Sequence, residues 1–157
     1  MLSEEYCAWL YYTPDHKYEM SMLAAGAVQD DPGKRVCDLP PIVNDDRYPP
    51  TSLGYVFVLH NHPYENVLTD FDIRFIVDMA TLHGIAIKTQ TGAVPISIVA
   101  FYSNSDALDN PTCDGFFQYI PGTGELVKWV NSRGTWKGEI TGRIVWTDTT
   151  TYRIDKP

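Results

Sequence analysis

Apolar and polar positions alternate along most of the chain in short runs, and only once does the period lengthen to that of a helix. Tyr6 to Thr13 is an aromatic and apolar run that reads as a core strand and stops at Pro14-Asp-His16-Lys17. Tyr18 to Val28 reads as its hairpin partner. Leu53-Gly-Tyr-Val-Phe-Val-Leu-His60 is a second apolar run, long enough for a buried central strand. Between Phe71 and His83 the apolar residues Ile73, Ile76/Val77 and Ala80 recur at i, i+3/4 and i+7, which predicts one amphipathic helix stopped by Gly84. Ile85 to Thr89 and Pro95 to Tyr102 follow as strands joined around Thr91-Gly92. Phe116 to Ile120 and Glu125 to Val130 flank Pro121-Gly-Thr-Gly124 as a hairpin, and Thr135 to Trp146 and Thr150 to Ile154 add two more strands. The pattern predicts an α/β (α+β) protein: a mixed sheet, one packed helix and an antiparallel C-terminal extension. We expect one domain over 1–157, with its core at about 1–102 and the β-rich extension at 103–157.

Two stretches lack periodicity. Gln29 to Ser52 carries Pro32-Gly33, Pro40-Pro41 and Pro49-Pro50, and a connection of that length is either functional, for example bordering a substrate groove, or a solvated decoration. Ser103 to Gly115 is rich in Asn, Asp and Pro and reads as loop.

The chemistry concentrates at Leu59-His-Asn-His-Pro-Tyr-Glu-Asn-Val-Leu-Thr-Asp-Phe-Asp72. His60 and His62 sit two apart at a strand end, so both imidazoles point to one face. Pro63 ends the ladder, and Thr69 to Asp72 opens the helix. A carboxylate in that first turn makes a third ligand beside the two imidazoles. Two His and one carboxylate leave a position for water, as catalytic zinc sites do. Thr69-x-x-Asp72 alone also fits a helix capping box, which does not account for the paired imidazoles.

His-x-His-Pro, a short loop and Thr-x-x-Asp together resemble the motif of the JAMM (JAB/MPN) zinc metalloprotease family, including its bacterial JAB-like domains, with Thr69 where the family has Ser. Upstream, Glu5-x-x-Ala8-x-Leu10 is similar to the context of the family's acid/base glutamate. The resemblance spans about Glu5 to Tyr102 and is specific only at Glu5–Leu10 and His60–Asp72. It implies a curled sheet of the JAMM/MPN (cytidine-deaminase-like) type. It implies a Zn2+ ion on His60, His62 and Asp72, with Glu5 as acid/base and Thr69 as donor to the oxyanion. The substrate it implies is a protein or peptide, cut at a peptide or isopeptide bond, with ubiquitin-like proteins among the family's substrates. Glu5 is preferred to Glu4 and Glu19 by the Ala8/Leu10 spacing, since a slip of one residue turns a strand side chain to the opposite face. The family has a helix before this strand, so a chain opening four residues before Glu5 is expected to be either a domain cut from a longer protein or a chain with a shortened start.

Other readings stay open: a metal-binding interaction module without activity, and a RadC-like domain of the same superfamily. A zinc deaminase would need Pro-Cys-x-x-Cys, which Pro111-Thr-Cys113-Asp-Gly does not supply.

Charge narrows the partners. A net charge of -8 with no Lys/Arg cluster argues against nucleic acid. No apolar run approaches the roughly 20 residues of a membrane span, and no secretory leader is visible. Cys7 sits in an apolar run and is expected to be a small buried residue, while Cys37 and Cys113 lie in loops and are either a disulfide or free thiols. His16 falls in a turn and is expected to be exposed. His83, in the helix's last turn, is expected to serve packing or the helix dipole.

Overall fold

A computed structural model of the chain describes residues 5–25, 39–62, 67–103 and 112–157. Eleven strands and one helix follow in order: β1 Tyr6–Tyr12, β2 Tyr18–Met20, β3 Ala24–Ala25, β4 Gly54–Asn61, α1 Asp70–His83, β5 Ala86–Thr89, β6 Gly92–Pro95, β7 Ser97–Tyr102, β8 Gly115–Ile120, β9 Glu125–Ser132, β10 Thr135–Trp146 and β11 Tyr152–Asp155. Nine strands form one sheet in the order β11-β10-β9-β8-β7-β4-β1-β2, with β3 also paired to β1. Among the described residues only the β4–β7 contact is parallel. That is the pair joined through α1, because a parallel connection must cross over and a helix covers the face it crosses. The protein is therefore mixed α+β, mostly sheet with one helix, and the C-terminal strands continue the main sheet.

Alternation decides which face α1 covers. Cys7, Trp9 and Tyr11 on β1, Val58 on β4, Ile96 and Ile98 at β7, and Tyr119 on β8 join Ile73, Ile76, Met79 and Ala80 of α1 in one buried cluster. Leu39 and Val43 enter it from the preceding loop. Within Gln29 to Ser52 the described part, 39–52, is thus anchored in the core, with Trp9 Nε1 donating to the Pro40 carbonyl at 2.8 Å and Val43 N–H donating to Tyr55 Oη at 2.9 Å. The helix starts where Thr69 caps it and ends at Gly84, whose φ of +97° suits a residue without a side chain.

Three expectations need correction. The strand expected over Tyr18 to Val28 is broken: Ser21 Oγ accepts the Trp9 N–H at 2.9 Å, so a side chain replaces a ladder partner between β2 and β3. Residues 26–28 lie outside the described ones. The connection expected around Thr91-Gly92 is itself half strand, since β5 and β6 form a separate two-stranded hairpin across Gln90-Thr91, with Gly92 at φ +129°. Cys7 is buried as expected but forms a disulfide, and Cys113 is free and exposed, so a Cys37–Cys113 bridge is excluded. Cys37 lies outside the described residues. None of the described helices is long and apolar enough to cross a membrane.

Candidate metal centre

Glu5, His60, His62 and Asp72 are brought together, each offering a ligand atom within 4.8 Å of the others. The sheet register explains two of these placements. β1 runs antiparallel to β4 with Cys7 opposite His60 and Trp9 opposite Val58. Extending that register by two residues puts Glu5 opposite His62, on the face to which His60 and His62 both point. Asn61 points the other way, and its Oδ1 accepts the Tyr6 N–H at 2.6 Å, tying the start of β1 to the end of β4. His62 is held by its backbone, which donates to the Phe101 carbonyl at 3.0 Å.

Asp72 comes from α1. Thr69 Oγ1 accepts the Asp72 N–H at 3.2 Å and Asp72 Oδ2 accepts the Thr69 N–H at 2.9 Å, a complete capping box. The cap therefore does not exclude a ligand role, since it fixes the rotamer that aims the carboxylate at the imidazoles. His60 Nε2 lies 3.2 Å from Asp72 Oδ1, His62 Nε2 lies 3.3 Å from Asp72 Oδ2, and the two Nε2 atoms are 2.8 Å apart. The three side chains are 3%, 7% and 8% exposed.

No arrangement of protons satisfies these three contacts while Asp72 is ionised. If neither Nε2 carries hydrogen, two lone pairs face each other at 2.8 Å. A single hydrogen leaves one nitrogen's lone pair against a carboxylate oxygen, and two leave donor against donor. A cation at the centre would remove the conflict, because both Nε2 atoms and the carboxylate oxygens then act as acceptors toward one point. Zn–N and Zn–O bonds near 2.0–2.2 Å imply tetrahedral edges of about 3.3 Å, against nitrogen–oxygen contacts of 3.2 and 3.3 Å to the two carboxylate oxygens and 2.8 Å between the nitrogens. Among the described residues the buried Nδ1 of His60 has no hydrogen-bond partner, and in both rings Nε2 is the nitrogen directed at Asp72.

Charge follows geometry. Burial alone would raise the Asp72 carboxyl's pKa, but hydrogen bonds from His60 and His62 and the charge of His60 hold it far below the usual carboxylate range. Burial works against a charged His62, yet the hydrogen bond and charge of Asp72 and the charge of Glu5 outweigh it and raise its pKa. The raised His62 pKa expresses the negative potential of Asp72 and Glu5, while the lowered Asp72 pKa expresses the donors and positive charge that the imidazoles set against its carboxylate.

A cavity of about 20 Å³ lies against Glu5, His60 and Asp72, lined also by Val58, Phe71, Phe75 and Ile98. A water needs about 10–15 Å³ of such space, so the cavity takes one small oxygen ligand. A larger cavity, about 410 Å³, lies at the other end of β4 beside Tyr12, Leu53 and Thr89, and among the described residues no cluster of metal ligands reaches it.

Other candidates fall elsewhere. Glu19 pairs with Arg47, and Tyr11 lies beside it. His16 is exposed, and its Nδ1 meets Tyr12 Oη at 2.9 Å. His83 packs on Tyr55 at the far end of α1. Glu4 lies outside the described residues. Sequence reading missed the neighbours of the ligands, Cys7 and Phe75. The first is readable only through sheet register, while the second stands three residues after Asp72 on the same helix face. No family model matches the chain, and no curated protein and no solved structure matches it.

Proposed function

We propose that the protein is a zinc-dependent hydrolase that cleaves a peptide or isopeptide bond of a protein substrate, with a site of the JAMM type. The observation that carries this reading is the convergence of two imidazoles and one carboxylate on a single point, with Glu5 beside them on the neighbouring strand. The described residues that approach the point supply nitrogen and oxygen donors, the set that suits zinc in an open, catalytic site. Zinc, when bound there, supplies Lewis acidity and lowers the pKa of a coordinated water from 15.7 to about 7.

The chain's own residues supply the rest. Glu5 accepts a proton on its carboxylate and returns it to the leaving nitrogen, so that an amine departs rather than an amide anion. Its burial, at 8% exposure, keeps bulk water from competing for that proton. Thr69 Oγ1 accepts the Asp72 N–H, which leaves its own hydrogen free to donate to the oxyanion of the tetrahedral species. The net charge of -8 gives the surface a preference for basic partners.

Hydrolysis of peptide- and isopeptide-linked reporters by zinc-loaded protein tests the reading, with Glu5→Gln beside wild type. The expected result is cleavage by wild type and a loss of about 10²–10⁴-fold in the variant, with zinc retained. Equal rates would remove Glu5 from the mechanism, and iron in place of zinc would replace the hydrolase by a different chemistry.

A further inference from the structure

A second cavity, about 320 Å³, lies on the same sheet face as the metal centre, between the start of α1 and the C-terminal strands. Leu68 and Ile73 form one wall and Phe117, Leu126, Ile144 and Tyr152 line the rest. Leu68 precedes the cap Thr69 and Ile73 follows the ligand Asp72, so the wall is continuous with the metal site. Register measures the separation. His60 pairs with Ala100 and Ala100 with Phe117, which puts Phe117 two strands, or about 10 Å, from His60.

The polar groups in the lining are already used. The Gln118 amide donates to Ser97 and accepts from Trp129, each at 2.9 Å, Thr141 Oγ1 donates to the Leu126 carbonyl at 3.4 Å, and Tyr152 Oη donates to Asp70 at 2.6 Å. What the cavity offers a ligand is therefore apolar surface. Its rim keeps that surface in water: Val67 is 58% exposed and Ile154 57%. The volume falls at the small end of ligand pockets, suited to one side chain. An extended peptide advances about 3.3 Å per residue, so 10 Å corresponds to about three residues.

Resting on the hydrolase reading above, we infer that this pocket receives an apolar side chain of the polypeptide substrate about three residues from the bond that is cut. It is a specificity site, built largely by the C-terminal strands.

The test uses peptide amides in which Leu is moved through the three positions on either side of the scissile bond, each compared with Asp at the same position. One position is expected to favour Leu by about tenfold or more in kcat/KM. Ile154→Asp and Thr141→Arg, both at exposed positions where folding is undisturbed, are expected to abolish that preference by raising KM with kcat retained. Binding is read apart from cleavage by methyl NMR of Glu5→Gln protein. Shifts at Leu68, Ile73 and Leu126 are expected with the Leu peptide and none with the Asp peptide. Those shifts without hydrolysis by wild type would sink the hydrolase reading and leave the pocket as an apolar peptide site. Hydrolysis indifferent to the residue at all six positions, or a preference that survives both variants, would overturn the pocket's role.

Discussion

The two ends of α1 hold histidines under different terms. At the C-terminal end His83 stacks on Tyr55, with centroids 3.6 Å apart and planes 12° from parallel, and meets Trp9 edge-on at 5.7 Å. Its Nε2 lies 2.6 Å from the Pro41 carbonyl, so a neutral ring donates there and is satisfied. At the N-terminal end His60 and His62 crowd their Nε2 atoms against each other and Asp72, and among the described residues the Nδ1 of His60 has no hydrogen-bond partner. The same residue type on the same sheet face is a packing element where the protein supplies its hydrogen bonds. Where several acceptors are directed to one point instead, the cluster could hold a cation.

Removal of ligands should separate the two ends most strongly. Zinc at about a thousand times its dissociation constant stabilises a single site by about 4 kcal/mol, which for a chain of this size raises Tm by roughly 10 °C. Wild type and His83→Ala should both show that rise in a thermal melt, and His60→Ala and Asp72→Ala should lose it. A zinc response that survives Asp72→Ala would mean the ion sits elsewhere.

The smaller effect belongs to the other end. Losing the Tyr55 stack and the Pro41 bond in His83→Ala should cost about 1–3 kcal/mol in denaturant unfolding, with zinc binding unchanged. Burial lowers the His83 pKa, and the Pro41 carbonyl only partly offsets it. The unfolded chain therefore takes up a proton, near pH 6.5, that the folded chain resists. His83's stabilisation is complete above about pH 6.5 and is lost as pH falls toward its lowered folded value. His83→Gln should flatten that slope, measured as the difference between the two proteins' unfolding free energies from pH 7.5 to pH 5, and identical slopes would deny His83 the contribution.

Much of this arrangement is legible in residue order because it is local. Thr69 and Gly84 bracket the helix, and the paired imidazoles follow from a spacing of two on a strand that begins and ends within a residue of its apolar run. What depends on pairing is not legible. Glu5 reaches His62 through a register set by the β1–β4 ladder, and no feature near Glu5 in the sequence encodes which β4 residue it meets. The disulfide at Cys7 has the same origin, since three cysteines with no short spacing leave the pairing to the tertiary fold. The break between β2 and β3 came from one hydroxyl, Ser21, taking a backbone donor that the apolar pattern assigned to the ladder. The β5–β6 hairpin was hidden because its residues are mostly half-exposed or exposed and carry little alternation.

The most direct measurement is the metal content of purified protein by elemental analysis, wild type beside His60→Ala and Asp72→Ala. One zinc per wild-type chain, absent from both variants, is the result expected from three acceptors that no protons can reconcile. Wild type that stays metal-free after incubation with zinc, or that binds it equally well in all three proteins, would contradict the metal centre itself.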